Sequence, residues 1–282
     1  MTLPKYYMLN GEMENFKTGL SQAELLLNWI PGSLELRWRA SGTRIPFYQA
    51  QYQRLKSFIL SFCDKLSWVP EQDKLEALLS KLIQGNRLFK GVEIRFYLKP
   101  GLGLNSPPDL LILSLPHPEE LFVLNEQGLV MGPADPPKHP GRSFLLQLGY
   151  DRFKSDRWVR QASNKELNVL YFTGPQNQLL ETFESNIFLI KGDKIFTPSH
   201  DTFLNPWGIR EPIQKACSKL GLIFSATHSL LTDHLNQADE VFLGDDYNGI
   251  RWIMGHQDKR FFRKNSRKIL DLINSDWEKT IS

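Results

Sequence analysis

Cysteine is nearly missing from this chain: Cys63 and Cys217 are the two in 282 residues. Both fall in stretches with helical apolar spacing, so a disulfide-built scaffold is excluded and both read as buried thiols of a reducing compartment. Net charge is almost absent as well, +3 at pH 7 from 34 basic and 31 acidic residues, too little to argue for nucleic acid as a partner. No apolar run reaches the length of a membrane-spanning helix, and the opening MTLPKYYMLNGEM lacks the basic-then-apolar order of a signal peptide. These absences lead to the expectation of a cytoplasmic protein with no membrane partner. The six histidines, at 117, 139, 200, 228, 234 and 256, show no His-x-x-x-His spacing, the cysteines no Cys-x-x-Cys, and no metal site is expected. Gly101-Leu102-Gly103 lacks the third glycine and following helix of a dinucleotide site, and neither a phosphate loop nor a nucleophile elbow is present.

What is there is an ordinary globular composition, 41% hydrophobic and 23% charged, long enough for two cores. From Lys5 to about Pro118 the pattern reads as a hairpin at Asn10-Gly11, strands around Leu34–Trp38 and Ile45–Tyr48, helices Ala50–Leu66 and Glu71–Gly85, and strands Val92–Leu98 and Leu110–Leu115. Short strands with two helices suggest an α+β sandwich. The segment Leu115-Pro116-His117-Pro118-Glu119-Glu120 breaks the pattern, which sets expected domains at 1–118 and 119–282. Beyond it come a strand near Leu129 and the four-proline loop Pro133–Arg142, the feature expected to border a site entrance. Near the end, Lys259-Arg260-Phe261-Phe262-Arg263-Lys264 reads either as an anion or RNA site or, preferably, as a solvated edge strand running into a helix Ser266–Ile273.

The stretch ETFESNIFLIKGDKIFTPSHDTFLNPWGIR, Glu181 to Arg210, is the most informative. Ile187 to Ile190 form an apolar run, Gly192-Asp193 turns the chain, and Ile195-Phe196-Thr197 begins a second strand before Pro198, a hairpin with Glu181 at its entrance. After the cap signal Asn205-Pro206 a helix is expected to begin just past Asn205, with apolar residues at helical spacing from Ile209 to Leu220 and Gly221 behind it.

This order resembles the fold-type IV pyridoxal-phosphate enzymes, the family of branched-chain and D-amino-acid transaminases and 4-amino-4-deoxychorismate lyase. Glu181, Asn186 and Phe188 fit its acid-x4-Asn-x-Phe pattern, Trp207-Gly208-Ile209-Arg210 stands where the family has Gly-Ile-Thr-Arg, and Tyr7 to Glu12 resembles its first hairpin. Trp29, Gly32 and Glu35 sit at the spacing of its Tyr-Gly-x-Gly-x-Phe-Glu strand entrance, with Ile30 and Leu34 replacing the first Gly and the Phe. Gln51-Tyr52-Gln53-Arg54-Leu55 stands at the family's His-x-x-Arg-Leu, which makes Arg54 a phosphate ligand by resemblance; on spacing alone it equally suits a solvated arginine flanking the stripe Leu55, Phe58, Ile59 and Phe62.

The resemblance implies a two-domain architecture like that of D-amino-acid aminotransferase, a small N-terminal domain and a larger C-terminal one with the site between them, pyridoxal 5'-phosphate as cofactor, and a homodimer. Phe153-Lys154-Ser155-Asp156-Arg157-Trp158 fits the family's Lys-Ser/Thr-x-Asn run except that Arg157 replaces Asn, so Lys154 is the implied Schiff-base lysine, ahead of Lys165 and Lys138. Like charge from Arg152 and Arg157 would lower the pKa of that amine. Glu181 would keep the ring nitrogen protonated, and the amides around Gly208 and Ile209 would meet the phosphate at a helix start.

One departure stands out. Ala238 to Leu243 resembles the strand leading into Thr-Gly-Thr-Ala-Ala-Gly, yet Gly244-Asp245-Asp246-Tyr247-Asn248-Gly249 follows, which sets Asp246 where the second Thr donates to the phosphate. With Trp207 and Ile209 also changed, two hydroxyls are missing. Either the amides and Arg54 suffice, or Tyr247 or Asn248 substitutes, or the cofactor no longer binds. The expected activity is transamination of an amino acid. A lyase acting on an amino-chorismate-like substrate, and a member that has lost the cofactor and serves as a binding or scaffold protein, are the alternatives.

Overall fold

A hairpin opens the chain because Asn10 and Gly11 both adopt positive φ, 50° and 88°, as a two-residue turn matched to strand twist requires. It joins β1 (Tyr6–Leu9) to β2 (Glu12–Asn15). The computed structural model describes residues 3–31, 33–60, 70–99, 108–135, 159–183, 185–199 and 208–281. These fall in two compact units, Met1–Leu121 with Thr280–Ser282, and Phe122–Lys279.

In the first unit a helical turn α1 (Gln22–Glu24), closed by a Ser21–Glu24 capping box, runs into a π-turn Leu25–Trp29. Then come β3 (Leu34–Ser41), α2 (Tyr48–Leu60), α3 (Gln72–Gly85), β4 (Gly91–Lys99) and β5 (Asp109–Pro116). The strands form an antiparallel sheet in the order β2-β1-β5-β4-β3. Successive side chains of a strand point to opposite faces, and both faces here are covered. On one, Tyr7, Tyr97, Leu111 and Leu113 pack with Leu25 and Trp29. On the other, Trp38 lies 4.4 Å from Phe96 and 6.1 Å from Tyr48 at the start of α2, ring centre to ring centre. The expected strand Ile45–Tyr48 does not form. Pro46 has no N–H for a ladder, Phe47 sits at φ 55°, and Tyr48 already opens the helix.

The second unit contains β6 (Leu129–Pro133), the helical residues 159–164 (α4), β7 (Val169–Thr173), β8 (Leu179–Thr182), β9 (Asn186–Lys191) and β10 (Lys194–Pro198). It continues with α5 (Arg210–Lys219), β11 (Ile223–Thr227), α6 (Asp233–Gln237), β12 (Glu240–Asp245), β13 (Gly249–His256), β14 (Lys259–Arg260) and α7 (Lys264–Ile281). The strand order β9-β12-β13-β6-β7-β8 returns to β9 through a β8–β9 pairing, which closes a six-stranded barrel; β10 and β11 extend it beyond β9. Each ring strand sends residues into one apolar cluster, the barrel interior: Ile187 and Leu189, Val241 and Leu243, Ile253, Met131, Tyr171 and Leu179. The fold is thus α+β, a small antiparallel sheet unit and a larger barrel unit. No described helix is long and apolar enough to cross a membrane.

The 187–198 hairpin forms as expected, with Gly192 at φ 59° in its turn. Two details differ from the sequence reading. Glu181 belongs to a strand of its own, β8, that precedes the hairpin. The helix starts at Arg210, not just past Asn205, because Gly208 still lies in a turn and Ile209 is the N-cap. At the C-terminal tract the short edge strand β14 pairs with β13, and the helix that follows is longer than expected, Lys264–Ile281.

Candidate functional site

The barrel is closed by one directly opposed pair, Glu181 on β8 and Asn186 on β9. Both are fully buried, and Asn186 Nδ2 donates to Glu181 Oε2 at 3.5 Å. A register shift between Tyr171 and Thr173 on β7 accompanies the closure, and bulges of this kind re-aim side chains beside sites. Ile187 points into the barrel, so its neighbour Asn186 and the opposed Glu181 lie on the outer face. On β12, Gly244 is the residue opposite Asn186. Glu181, Asn186 and Gly244 therefore form a lateral row across three adjacent strands, each step roughly 5 Å.

The start of α5 packs on the end of that row. A Cβ on Gly244 would lie 2.9 Å from Ile213 Cδ1, 2.9 Å from Phe188 Cε2 and 3.6 Å from Ile209 Cγ2, so glycine here admits the helix against the barrel. Outside the barrel the Phe188 and Phe242 rings stack at 5.0 Å. Arg210 leaves the site altogether. It is buried, donates to Pro198 O at 2.6 Å and Thr197 Oγ1 at 3.3 Å, and burial pulls its guanidinium down to about 10. It fastens α5 to the end of β10.

Asp246, 1% exposed, lies just past β12. Its Oδ2 accepts the amide of Gly208 at 3.0 Å and its Oδ1 the amide of Ile209 at 2.7 Å. The free amides at a helix start attract anions, and here a carboxylate of the same chain takes both. An unpaired carboxylate would be costly to bury here, and these two donors satisfy it. The Asn248 side chain and the Tyr247 amide are drawn elsewhere. Asp245 Oδ1 accepts the amides of Tyr247 at 3.0 Å and Asn248 at 2.6 Å, and the Asn248 side chain also donates to Asp245.

Sequence reasoning missed the cluster beside this turn. Ser185 Oγ donates to Asp245 Oδ2 at 2.7 Å, and Arg251 reaches Ser185 Oγ at 2.9 Å and Asp245 at 3.4 Å. The run Asp-x-x-Asn-Gly after a strand is a side-chain-to-backbone turn signal that could have found Asp245.

Arg54 sits on α2 in the first unit and is buried, which overturns the solvated alternative. Glu181, Asn186, Gly208, Ile209 and Asp246 all belong to the second unit. Lys154, with Lys138, Arg152, Arg157 and Trp207, lies outside the described residues, as does Cys63. Cys217 is buried in α5, and burial pushes its thiol up to about 12, which leaves it inert at neutral pH.

Most of the chain that builds this barrel is matched by a known family. Residues 36–253 fit the model described as Amino-transferase class IV, and the chain belongs to that family. No curated protein sequence matches it. Among solved structures it is similar to the branched-chain amino acid aminotransferase from Escherichia coli, at 20% identity and TM-score 0.75 over 94% of this chain and 92% of that one. The branched-chain enzyme from Thermobaculum terrenum in its PLP form is 15% identical, with TM-score 0.76 over 97% and 94%. A putative 4-amino-4-deoxychorismate lyase from Legionella pneumophila is 18% identical, with TM-score 0.71 over 93% and 97%.

The family typically uses pyridoxal phosphate, and the two ends of that cofactor fare differently here. A pyridine nitrogen suits the Glu181 end, where a fully buried carboxylate favours a protonated ring. The phosphate does not suit the helix end: the two foremost amides already serve Asp246, and a dianion beside that carboxylate is a like-charge pair.

Proposed function

We propose that this chain is a cytoplasmic class IV aminotransferase-type enzyme that transfers the amino group of an amino acid with a pyridoxal cofactor, as a homodimer of two-domain subunits divided near residue 118. The observation that carries the reading is Glu181, a carboxylate fully withdrawn from water on the pair that closes the barrel. Burying a carboxylate is costly, and a cationic ring nitrogen offsets that cost while the carboxylate keeps the ring protonated. When bound, such a ring supplies the electron sink for a carbanion at the amino acid's α-carbon.

The chain's own residues hold and move protons around it. Glu181 would stabilise the charge on a ring nitrogen held there, and Asn186 orients Glu181 through its Nδ2. Lys154 is the amine that takes the α-proton, and Arg54 is the cation assigned to the cofactor's far end. Gly208 and Ile209 are also assigned to that end, but their amides are held by Asp246. The same residues serve elimination, so a lyase acting on an amino-chorismate-like substrate is the alternative chemistry, supported by the likeness to the Legionella structure.

A second reading, a family member that has lost the cofactor and binds or scaffolds a partner, is favoured by the Asp246 contacts alone. Incubation with pyridoxal and, separately, with pyridoxal phosphate, each followed by borohydride, separates the readings. The enzyme reading expects a yellow absorbance band, covalent label on the Lys154 peptide, and no label after Lys154→Ala. Label on Lys165 or Lys138 would move the amine, and a protein left unlabelled and colourless by both rings would favour the scaffold.

A further inference from the structure

We propose that Asp246 is a built-in anion which, with Ile209 and Gly244, closes the start of α5 to phosphate, so that the ligand selected by this chain is an unphosphorylated pyridine aldehyde or amine. The ring end of the inference rests on the enzyme reading above; the helix end rests on geometry of its own. Three positions act together. Ile209, the N-cap, has no side-chain acceptor for the helix, and the two oxygens of Asp246 take the amides of Gly208 and Ile209 at 3.0 and 2.7 Å. Ile209 itself is fully buried and offers no donor to an incoming anion. Gly244 makes that burial possible, since a side chain there would strike Ile213 and Phe188 at 2.9 Å.

Each change answers another. The apolar Ile209 removes a hydroxyl donor, glycine makes room for the helix that carries it, and the carboxylate satisfies the amides left over. Asp246 is 1% exposed, so a phosphate can reach those amides only by displacing a buried, doubly hydrogen-bonded carboxylate and then residing beside it. The charge of Asp246 thus opposes a phosphate dianion, whereas a hydroxymethyl group at the same end of the ring meets an acceptor. The position also connects to the ring end. Asp246 follows Gly244 by two residues, and Gly244 is aligned through Asn186 with Glu181.

The test is equilibrium binding of pyridoxal and of pyridoxal phosphate to the full chain and to Asp246→Thr and Asp246→Asn, with thermal stability in inorganic phosphate as a second readout. Asp246→Asn keeps an acceptor for one amide without the charge, so it guards against a Thr variant that fails to fold. The wild type should bind pyridoxal about tenfold or more tighter than its phosphate, in line with removal of a like-charge contact, and should gain no stability from phosphate. Both variants should reverse the preference, and phosphate should stabilise them. A wild type that binds the phosphate ester as well or better, or variants that keep the wild-type ratio, overturns the proposal and leaves the enzyme reading standing. If no form binds either ring, both fall together.

Discussion

At the end of β12, two adjacent carboxylates are buried and each is satisfied by a different set of donors. Asp245 gathers the following turn and the Ser185 hydroxyl, whereas Asp246 takes the amides that begin α5. Donors of this kind offset the cost of burying a carboxylate. His256 is the opposite case. It is 2% exposed, its Nε2 lies 3.0 Å from the Tyr171 hydroxyl, and its Nδ1 has no hydrogen-bond partner among the described residues. Burial pushes Tyr171 up to about 12, so the phenol stays neutral, and burial pulls His256 below the usual imidazole range. Protonation would put a second N–H at a buried atom with nothing to receive it. A depressed folded-state pKa means that this share of stability is present above the unfolded value of about 6.5 and is lost as pH falls through the folded one. The thermal midpoint should therefore drop between pH 7 and pH 5, by about 2–4 °C for each kcal/mol of linkage at this chain length. His256→Gln should remove its share of that drop and leave that of His117, which burial also lowers. A pH dependence unchanged in the variant would assign the effect elsewhere.

Both ends of β12 bear a carboxylate that caps a helix from another part of the chain. Glu240 at the start accepts the amides of Asn265 and Ser266 and the Ser266 hydroxyl at the head of α7, and Asp246 beyond the end does the same for α5. One strand thereby sets where two helices begin. The seat of α5 is tight, and Gly244 is its critical point. Gly244→Ala should cost about 1–3 kcal/mol by overpacking against Ile213 and Phe188. Ile213→Val removes the Cδ1 atom that stands 2.9 Å from the new Cβ. The double variant should accordingly lose less than the sum of the singles, with a coupling of about 0.5 kcal/mol or more in denaturant unfolding. Strict additivity would show that the helix shifts bodily and the side chains do not collide.

For the whole molecule, the homodimer of the proposed function makes a prediction of its own. In the first unit Leu27 is 73% exposed and Phe89 75%. Covering such residues is a common reason for a two-fold pair of identical chains. Light scattering across working concentrations should give twice the mass of one chain. A strictly monomeric mass would remove the homodimer from the proposed function while leaving the barrel site as it is.

Short-range features could be read directly from the amino-acid order. The Asn10-Gly11 hairpin, the 187–198 hairpin turning at Gly192 and the helical spacing from Ile209 to Leu220 follow from local turn chemistry and periodicity, whereas the acid and asparagine at 181 and 186 are marked by the resemblance to the family pattern. Ile45–Tyr48 failed as a strand because apolar character outweighed Pro46 in the reading, whereas in the chain the missing N–H decides. Closure of the barrel by β8 could not be read: the strand is four residues long, and its pairing depends on a register shift and on a ring of strands distant in sequence. Nor could the partner of Asp246. The residue type and its departure from the family pattern are plain in the sequence, but the amides it holds lie 37 and 38 residues earlier. Local rules reach a few residues along the chain; the neighbour of a buried carboxylate is decided by which helix the sheet brings to it, and here that packing turned an apparent unpaired charge into a helix cap.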